Sequence, residues 1–458
     1  MANNEARRSV SAKAAGRRRA ASAARTRPEV AFHLKPTAIF QLRVGPVRSL
    51  LACRARRLCD EPVVSDNFTI IGGGLVGLAT AWRLLQRAPK ARVVLLEKES
   101  SVGQHQSTHN SGVLHCGLHY RPGSHKAKLA VRGIRQMVEF CRENNVTHDV
   151  CGKLVVATNE EQIPRLRTLQ ERGTANGLSG LRWMDPAEYR RIEPHAGGLA
   201  ALHVPEEGIV DYAGVVAALA RHIRDRGGVI QTDSEVKKFE RRGSEWILHT
   251  AQGEVPAKFI ISCAGLHTDR VCRRAGQKTE VHTLAFRGEY YALKKEREGL
   301  VRNLIYPVPD PQFPFLGVHF TRLARGGIEA GPNAVLAFAR EGYRFTDVNV
   351  RDLAEFLAFP GLWRFLWKYR KMCAFEFAQS LSRERFCRTL QRLVPDLRSE
   401  DLETGGSGVR AQGMLPNGSL VEDFNFVKAD GALHVLNAPS PAATSSLAIG
   451  EHIVAQLE

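Results

Sequence analysis

Residues 68–99, FTIIGGGLVGLATAWRLLQRAPKARVVLLEKE, carry three patterns in succession. Residues 68–71 are a short apolar run that stops at three glycines. From 75 to 88, apolar residues recur at helical spacing until Pro89 ends the pattern. Residues 92–96 are a second short apolar run. Strand, glycine turn, helix and strand make a βαβ unit, with the two strands parallel and the helix crossing between them.

Gly72, Gly74 and Gly77 satisfy the spacing G-x-G-x-x-G, a weak signal alone. Here it follows a strand, opens a helix, and is followed twenty positions after Gly77 by Glu97 at the end of the next strand. That context is the dinucleotide fingerprint. Gly72 makes the tight turn, Gly74 lets a pyrophosphate approach the backbone, Gly77 lets helix and strand pack closely, and Glu97 accepts bonds from ribose hydroxyls. The phosphate charge sits on the helix N-terminus. A nicotinamide enzyme continues as alternating βα units. This chain leaves Glu97 for a loop of glycine, histidine and serine and returns to mixed β structure, which favours FAD over NAD.

That loop, HQSTHNSGVLHCGLHY (105–120), holds four histidines. His105 and His109, like His115 and His119, are four apart, the spacing that would pair zinc ligands on a helix. Gly103, Gly112 and Gly117 argue against a helix, so no metal is expected. Ser107, Thr108, Asn110, Ser111 and Gly112 suit a turn that offers hydroxyls, amides and N–H groups to a pyrophosphate and flavin.

The formal charge of +18 over 458 residues raises the question of nucleic acid. Residues 1–65 hold fourteen Lys and Arg against four Asp and Glu, ten of those eighteen charges. They are rich in Ala, Ser and Arg without a long apolar run, which reads as a disordered mitochondrial presequence (a transit peptide). The body is only mildly basic and carries no nucleic-acid motif. Nine cysteines without a C-x-x-C pair fit neither a disulfide framework nor a zinc ribbon.

The remaining chain alternates between two kinds of segment. We expect an α/β protein: a Rossmann-like FAD-binding domain from residues 66–150, 206–280 and 405–458, and a mixed-sheet substrate domain from 151–205 and 281–404. Residues 356–372, FLAFPGLWRFLWKYRKM, combine Leu, Phe and Trp with Arg and Lys. They read as a core helix with a basic outer face, with a membrane-interface helix as the alternative.

Several stretches together carry a family resemblance: LLEKE, HQSTHNSGVLHCGLHY, PGSHKAKL, ISCAGLHTDR, FRGEYY, IYPVPDPQFPFLGVHFT, GVRAQ and NAPSPAATSSLAIG. The chain from about 68 to 455 resembles the mitochondrial L-2-hydroxyglutarate dehydrogenases, flavoproteins of the D-amino-acid-oxidase-like superfamily. It departs from their pattern at Ser107-Thr108, where Thr-Gly is expected, and matches poorly over 351–404.

The resemblance implies oxidation of (S)-2-hydroxyglutarate to 2-oxoglutarate, hydride passing to flavin N5. Electrons then go to a quinone or electron-transfer acceptor, with the protein peripheral on the inner membrane. The runner-up is another oxidoreductase of the superfamily, acting on an amino acid, glycerol phosphate or a different 2-hydroxy acid. A 2-hydroxy acid needs a base for its hydroxyl proton, and His109, His115 and His319 are the candidates. A small dicarboxylate needs fixed donors. Arg287 and Arg410, in matched motifs, offer planar forks, with Tyr306, Tyr120 and Asn333 as added donors. Gly265, Asn437, Ser440, Thr444 and Ser445 are expected beside the flavin.

Overall fold

The computed structural model describes residues 67–457, so the expected presequence lies outside the described residues. Two large sheets organise the chain. The first has six strands in the spatial order Asn425–Ala429, Ala432–Asn437, Phe259–Ser262, Asn67–Ile71, Arg92–Leu96 and Val229–Gln231. All neighbours are parallel except the first pair. Asn67–Ile71 sits centrally and reads as a near-continuous apolar run because both faces are covered. Strand order turns around it, with Phe259–Ser262 on one side and Arg92–Leu96 on the other. A crevice forms at such a switch point, outside the carboxyl ends of the strands.

Helix Leu75–Arg87 crosses this sheet and packs on Tyr212–Asp225 and on the C-terminal helix Ser446–Val454. The last contact is intimate: a Cβ on Gly450 would stand 2.8 Å from the backbone of Ala79. Helix His125–Glu143 is capped by the Ser124 hydroxyl, which accepts from the Ala127 N–H.

The second sheet is mixed. It runs Val335–Leu336, His282–Leu293, Ile328–Gly331, His319–Arg322, Leu304–Pro307, Lys153–Ala157, Ala200–Val204 and Arg182–Met184. Strand Leu402–Met414 also pairs with His282–Leu293, over almost its whole length. This moves one expected boundary: residues 405–414 belong to the substrate sheet, because their register is fixed by Phe286↔Arg410 and its neighbours. Between residues 350 and 390 the chain forms four helices: Val350–Ala358, Pro360–Lys368, Arg370–Ser380 and Arg383–Leu390.

Candidate active site

A cavity of about 870 Å³ lies where strands Asn67–Ile71, Arg92–Leu96, Phe259–Ser262 and Ala432–Asn437 end. Its first wall is mainly backbone. Gly72 turns the chain at φ +107°, and its N–H donates to the Leu96 carbonyl at 2.8 Å. A Cβ on Gly77 would lie 1.9 Å from the Gly72 carbonyl oxygen, so only glycine lets the helix start this close to the turn. The buried Glu97 carboxylate accepts from the N–H groups of Gly73 (2.7 Å) and Glu99 (3.0 Å). Two oxygens accept more than two bonds, which leaves capacity on a carboxylate that lines the cavity.

The 105–120 loop docks on the helix N-terminus. Ser107 Oγ accepts from the Leu75 N–H at 2.9 Å, which leaves its O–H to donate. Gly74 lines the cavity, and a Cβ there would reach within 3.0 Å of Ser107 Oγ. Asn110 and Ser111 also line it. The Asn110 side chain is spent on the loop: Nδ2 donates to the Gln106 and Ser107 carbonyls, and Oδ1 accepts from the Gly112 N–H, all at 2.9 Å. Gly112 does not line the cavity; its carbonyl accepts from the Val210 N–H at 2.7 Å, so its expected cofactor role gives way to a bond with strand Gly208–Val210. Gly265, Ser440 and Thr444 complete this wall. Buried Thr444 Oγ1 lies 2.8 Å from the Tyr212 hydroxyl and accepts from the His115 N–H at 3.1 Å.

The opposite wall is made of side chains from the substrate sheet. Tyr306 and His319, on adjacent antiparallel strands, stack with ring centroids 3.9 Å apart. His319 Nδ1 donates to the Gly317 carbonyl at 2.9 Å, which puts the lone pair on Nε2. Burial pushes the His319 imidazolium down to about 3, against that opposing bond, so the ring is neutral. Arg410 lines the cavity, donates from Nη1 to the Asn333 carbonyl at 3.2 Å, and makes no ion pair among the described residues. Burial raises the phenol of Tyr290, beside it, to about 12.

Arg287 is a correction. It is 1% exposed and does not line the cavity. Its Nε and Nη2 both donate to Glu289 Oε1, at 3.0 and 2.9 Å, and Nη1 donates to the Arg344 carbonyl. Residues two apart on a strand share a face, and here the two charges satisfy each other. Asn333 is likewise structural, with Oδ1 accepting from the Glu289 N–H and Nδ2 donating to Glu289 Oε2. His109 lines the cavity but is turned to its own loop, Nδ1 on the His105 carbonyl and ring 4.7 Å from that of Tyr343. His115 lines the cavity edge-on to Tyr306, with Nδ1 3.6 Å from the Glu207 carboxylate.

One trio resembles a metal site. Ligand atoms of Glu99, His105 and Glu341 lie within 4.8 Å of one another. The Lys98 ammonium sits among them, 2.8 Å from Glu341 and 3.0 Å from His105, and pairs with Glu99. A bound lysine already supplies the positive charge a metal would bring.

The profile of the FAD dependent oxidoreductase family matches residues 67–456. The chain belongs to that family. It is 50% identical to the L-2-hydroxyglutarate dehydrogenase of Indibacter alkaliphilus, over 83% of this chain and 96% of that one. It is 40% identical to the mitochondrial L-2-hydroxyglutarate dehydrogenase of Bos taurus, over 90% and 92%. Among solved structures, the L-alpha-glycerophosphate oxidase of Mycoplasma pneumoniae, with FAD bound, matches with a TM-score of 0.69 at 22% identity, over 85% of this chain and 94% of that one. At that identity the likeness concerns the fold, which is the one this family of FAD oxidoreductases shares.

The cofactor is FAD, and the first wall fits it. Glu97 is placed for ribose hydroxyls, the helix N-terminus with Ser107 for the pyrophosphate, and the gap at Gly74 for close approach of the phosphates. Several lining residues of this FAD-dependent oxidoreductase were not singled out in its sequence. Ser234, Glu235 and Val236 follow a short strand and line the cavity near Glu97's end of the sheet. Tyr290 and Gln412 come from the long paired strands, and Lys126 from the helix His125–Glu143. Burial lowers the Lys126 ammonium to about 8, against its acidic neighbours Asp423 and Glu422. Strand alternation in FRGEYY was a usable signal for Arg287, since it places Arg287 and Glu289 on one face.

Proposed function

We propose that this protein oxidises (S)-2-hydroxyglutarate to 2-oxoglutarate and passes the electrons to an acceptor at a membrane. The observation that carries the substrate class is Arg410: a guanidinium that lines the same cavity as Tyr306, His319 and His115 and forms no ion pair with a carboxylate among the described residues. A planar fork in that setting suits a carboxylate. The relatives' names supply the particular 2-hydroxy acid.

In this reading FAD, when bound, takes the two electrons released at the substrate carbon. Arg410 holds a substrate carboxylate. His115 accepts the hydroxyl proton, because the Glu207 carboxylate behind it stabilises the imidazolium that results. His319, held neutral by burial, orients the hydroxyl through Nε2. The deciding measurement is anaerobic bleaching of the flavin by a panel of 2-hydroxy acids, amino acids and glycerol phosphate. Rapid bleaching by (S)-2-hydroxyglutarate alone is expected; preference for an amino acid or glycerol phosphate sinks the assignment.

Membrane delivery of electrons is supported by the surface of helices Pro360–Lys368 and Arg370–Ser380. Trp363, Trp367 and Phe375 are 55%, 74% and 50% exposed there. Arg364, Lys368, Arg370 and Lys371 stand among them, a combination suited to an anionic lipid interface. No described helix is long and apolar enough to cross a membrane. The mitochondrial names of eukaryotic relatives and the basic residues 1–65 support import into mitochondria. A reporter fused to residues 1–65 should reach that organelle; nuclear accumulation points to a different role for the segment.

A further inference from the structure

Behind His115 lies a buried ion pair, of which the proposed chemistry has used only the carboxylate. Lys153 and Glu207 have side chains 0% and 1% exposed, and their charges meet at 2.5 Å. Removing two charges from water costs several kcal/mol per ion, and such a pair is seldom more stabilising than packed apolar side chains. Its location is therefore the informative fact. Glu207 stands in the connection between strands Ala200–Val204 and Gly208–Val210, and Lys153 opens the substrate-sheet strand Lys153–Ala157.

The Glu207 carboxylate is held from two sides. Oε1 accepts from the N–H of Cys116 at 3.3 Å and from its thiol at 3.2 Å. Burial, then Glu207 itself, push that thiol well up, so it remains S–H and a donor. Oε2 faces Lys153 and, at 3.6 Å, His115 Nδ1. Burial alone would raise the Glu207 carboxyl, but Lys153 and His115 outweigh it and hold it below the usual carboxylate range.

We infer that Glu207, kept ionised by Lys153, is a positioning residue that holds the proton of neutral His115 on Nδ1 and so turns the Nε2 lone pair toward the substrate. The inference rests on the reading of His115 as the proton acceptor. The substrate O–H bond breaks, its proton goes to Nε2, and the positive charge on the ring is stabilised by the carboxylate behind it. The arrangement follows the general logic of a base oriented by a third group. The other groups around His115 are Cys116, His119, Tyr306 and His319. Burial drives His119 and His319 down to about 3, and all four are neutral near pH 7, so Glu207 and Lys153 are the charges that set the ring's behaviour.

The test uses flavin-loaded Glu207→Gln, Glu207→Asp and the double variant Glu207→Gln/Lys153→Met, which removes both buried charges and so protects the fold. We expect kcat to fall roughly a hundred-fold in Glu207→Gln and in the double variant, with KM little changed. Asp restores part of it. A second readout needs no turnover: nitrogen-15 NMR of labelled histidines should show the Nδ1–H form of His115 in the native protein and a mixture in Glu207→Gln.

Native kcat in the double variant overturns the inference, as does an unchanged His115 tautomer. If His115→Asn itself keeps native kcat, the assignment of the proton acceptor fails instead, and the NMR result still decides whether Glu207 sets the tautomer.

Discussion

On one side of the cavity, Gly72, Gly74 and Gly77 hold side chains away and present backbone within a single βαβ unit. On the other, Tyr306 and His319 project from consecutive strands, and Arg410 from a third strand much later in the sequence. The backbone wall tolerates almost no added atom at its glycines and relies on few side chains, chiefly Glu97 and Ser107. The side-chain wall is the reverse: its shape comes from sheet register, and its chemistry from which face each residue takes. An error in the first removes the cofactor; an error in the second changes what is done with it.

The most severe test of that contrast is Gly77→Ala. The new methyl stands 1.9 Å from the Gly72 carbonyl, so the turn or the helix must move. The purified protein should lack the visible absorption of bound flavin. A fully yellow variant breaks the claim that this wall is set by backbone approach.

The two arginines sharpen the contrast within the second wall. Arg287→Ala leaves Glu289 with neutral donors but no cation and should cost on the order of 3 kcal/mol in denaturant unfolding, since removal of one partner leaves a mostly buried charge uncompensated. Arg410→Ala should leave stability nearly unchanged. Its loss should fall on kcat/KM for the dicarboxylate, roughly ten- to two-hundred-fold for about 1.5–3 kcal/mol of charge-assisted bonding. Much of that belongs in KM, because substrate and transition state share the carboxylate. Arg410→Lys should recover only part, the fork being gone. If the two variants exchange phenotypes, the placement of Arg287 outside the site is wrong.

Proton uptake gives a smaller, graded effect. An unfolded histidine takes a proton near pH 6.5, whereas folded His319 and His119 refuse it until about 3. Folded pKa values below the unfolded one mean stability is fully present above about pH 6.5 and is lost as pH falls toward 3. Each contributes about 1.4 kcal/mol per pH unit in that window. His319→Gln should flatten the fall of the urea midpoint between pH 7 and 5. The smallest effect on the cavity itself belongs to Trp363→Ser/Trp367→Ser. Flavin bleaching by substrate should be native, while co-sedimentation with anionic vesicles drops. Native vesicle binding removes that surface from the account.

The difference between the walls also explains what could be read from the chain alone. The fingerprint turn is local: spacing, a flanking strand and a following helix lie within 32 residues, and each pattern is dictated by steric rules. FAD, the parallel sheet and Glu97 followed from it, and family motifs extended the reading to Arg410, Tyr306 and His319. Arg287 was misjudged because a guanidinium near a strand end has two uses, and only register separates them. Asn110 and Gly112 looked like cofactor groups, yet the Asn110 side chain closes its own loop and the Gly112 carbonyl accepts from Val210 on strand Gly208–Val210. Glu207 and Lys153 left no local pattern, since neither is near the other in sequence and their pairing depends on how the small strand Gly208–Val210 meets the substrate sheet.

The contact between Gly450 and Ala79 sets an order of events in the life of the chain. The helix that carries the fingerprint is synthesised early, but the helix that packs on it, and strand Ala432–Asn437 beside the sheet's centre, leave the ribosome after every other strand of both sheets. Until then the nucleotide crevice lacks a side, and the face of helix Leu75–Arg87 that meets the C-terminal helix is uncovered. A chain cut before residue 432 therefore lacks one wall of the nucleotide crevice however completely its fingerprint turn has formed.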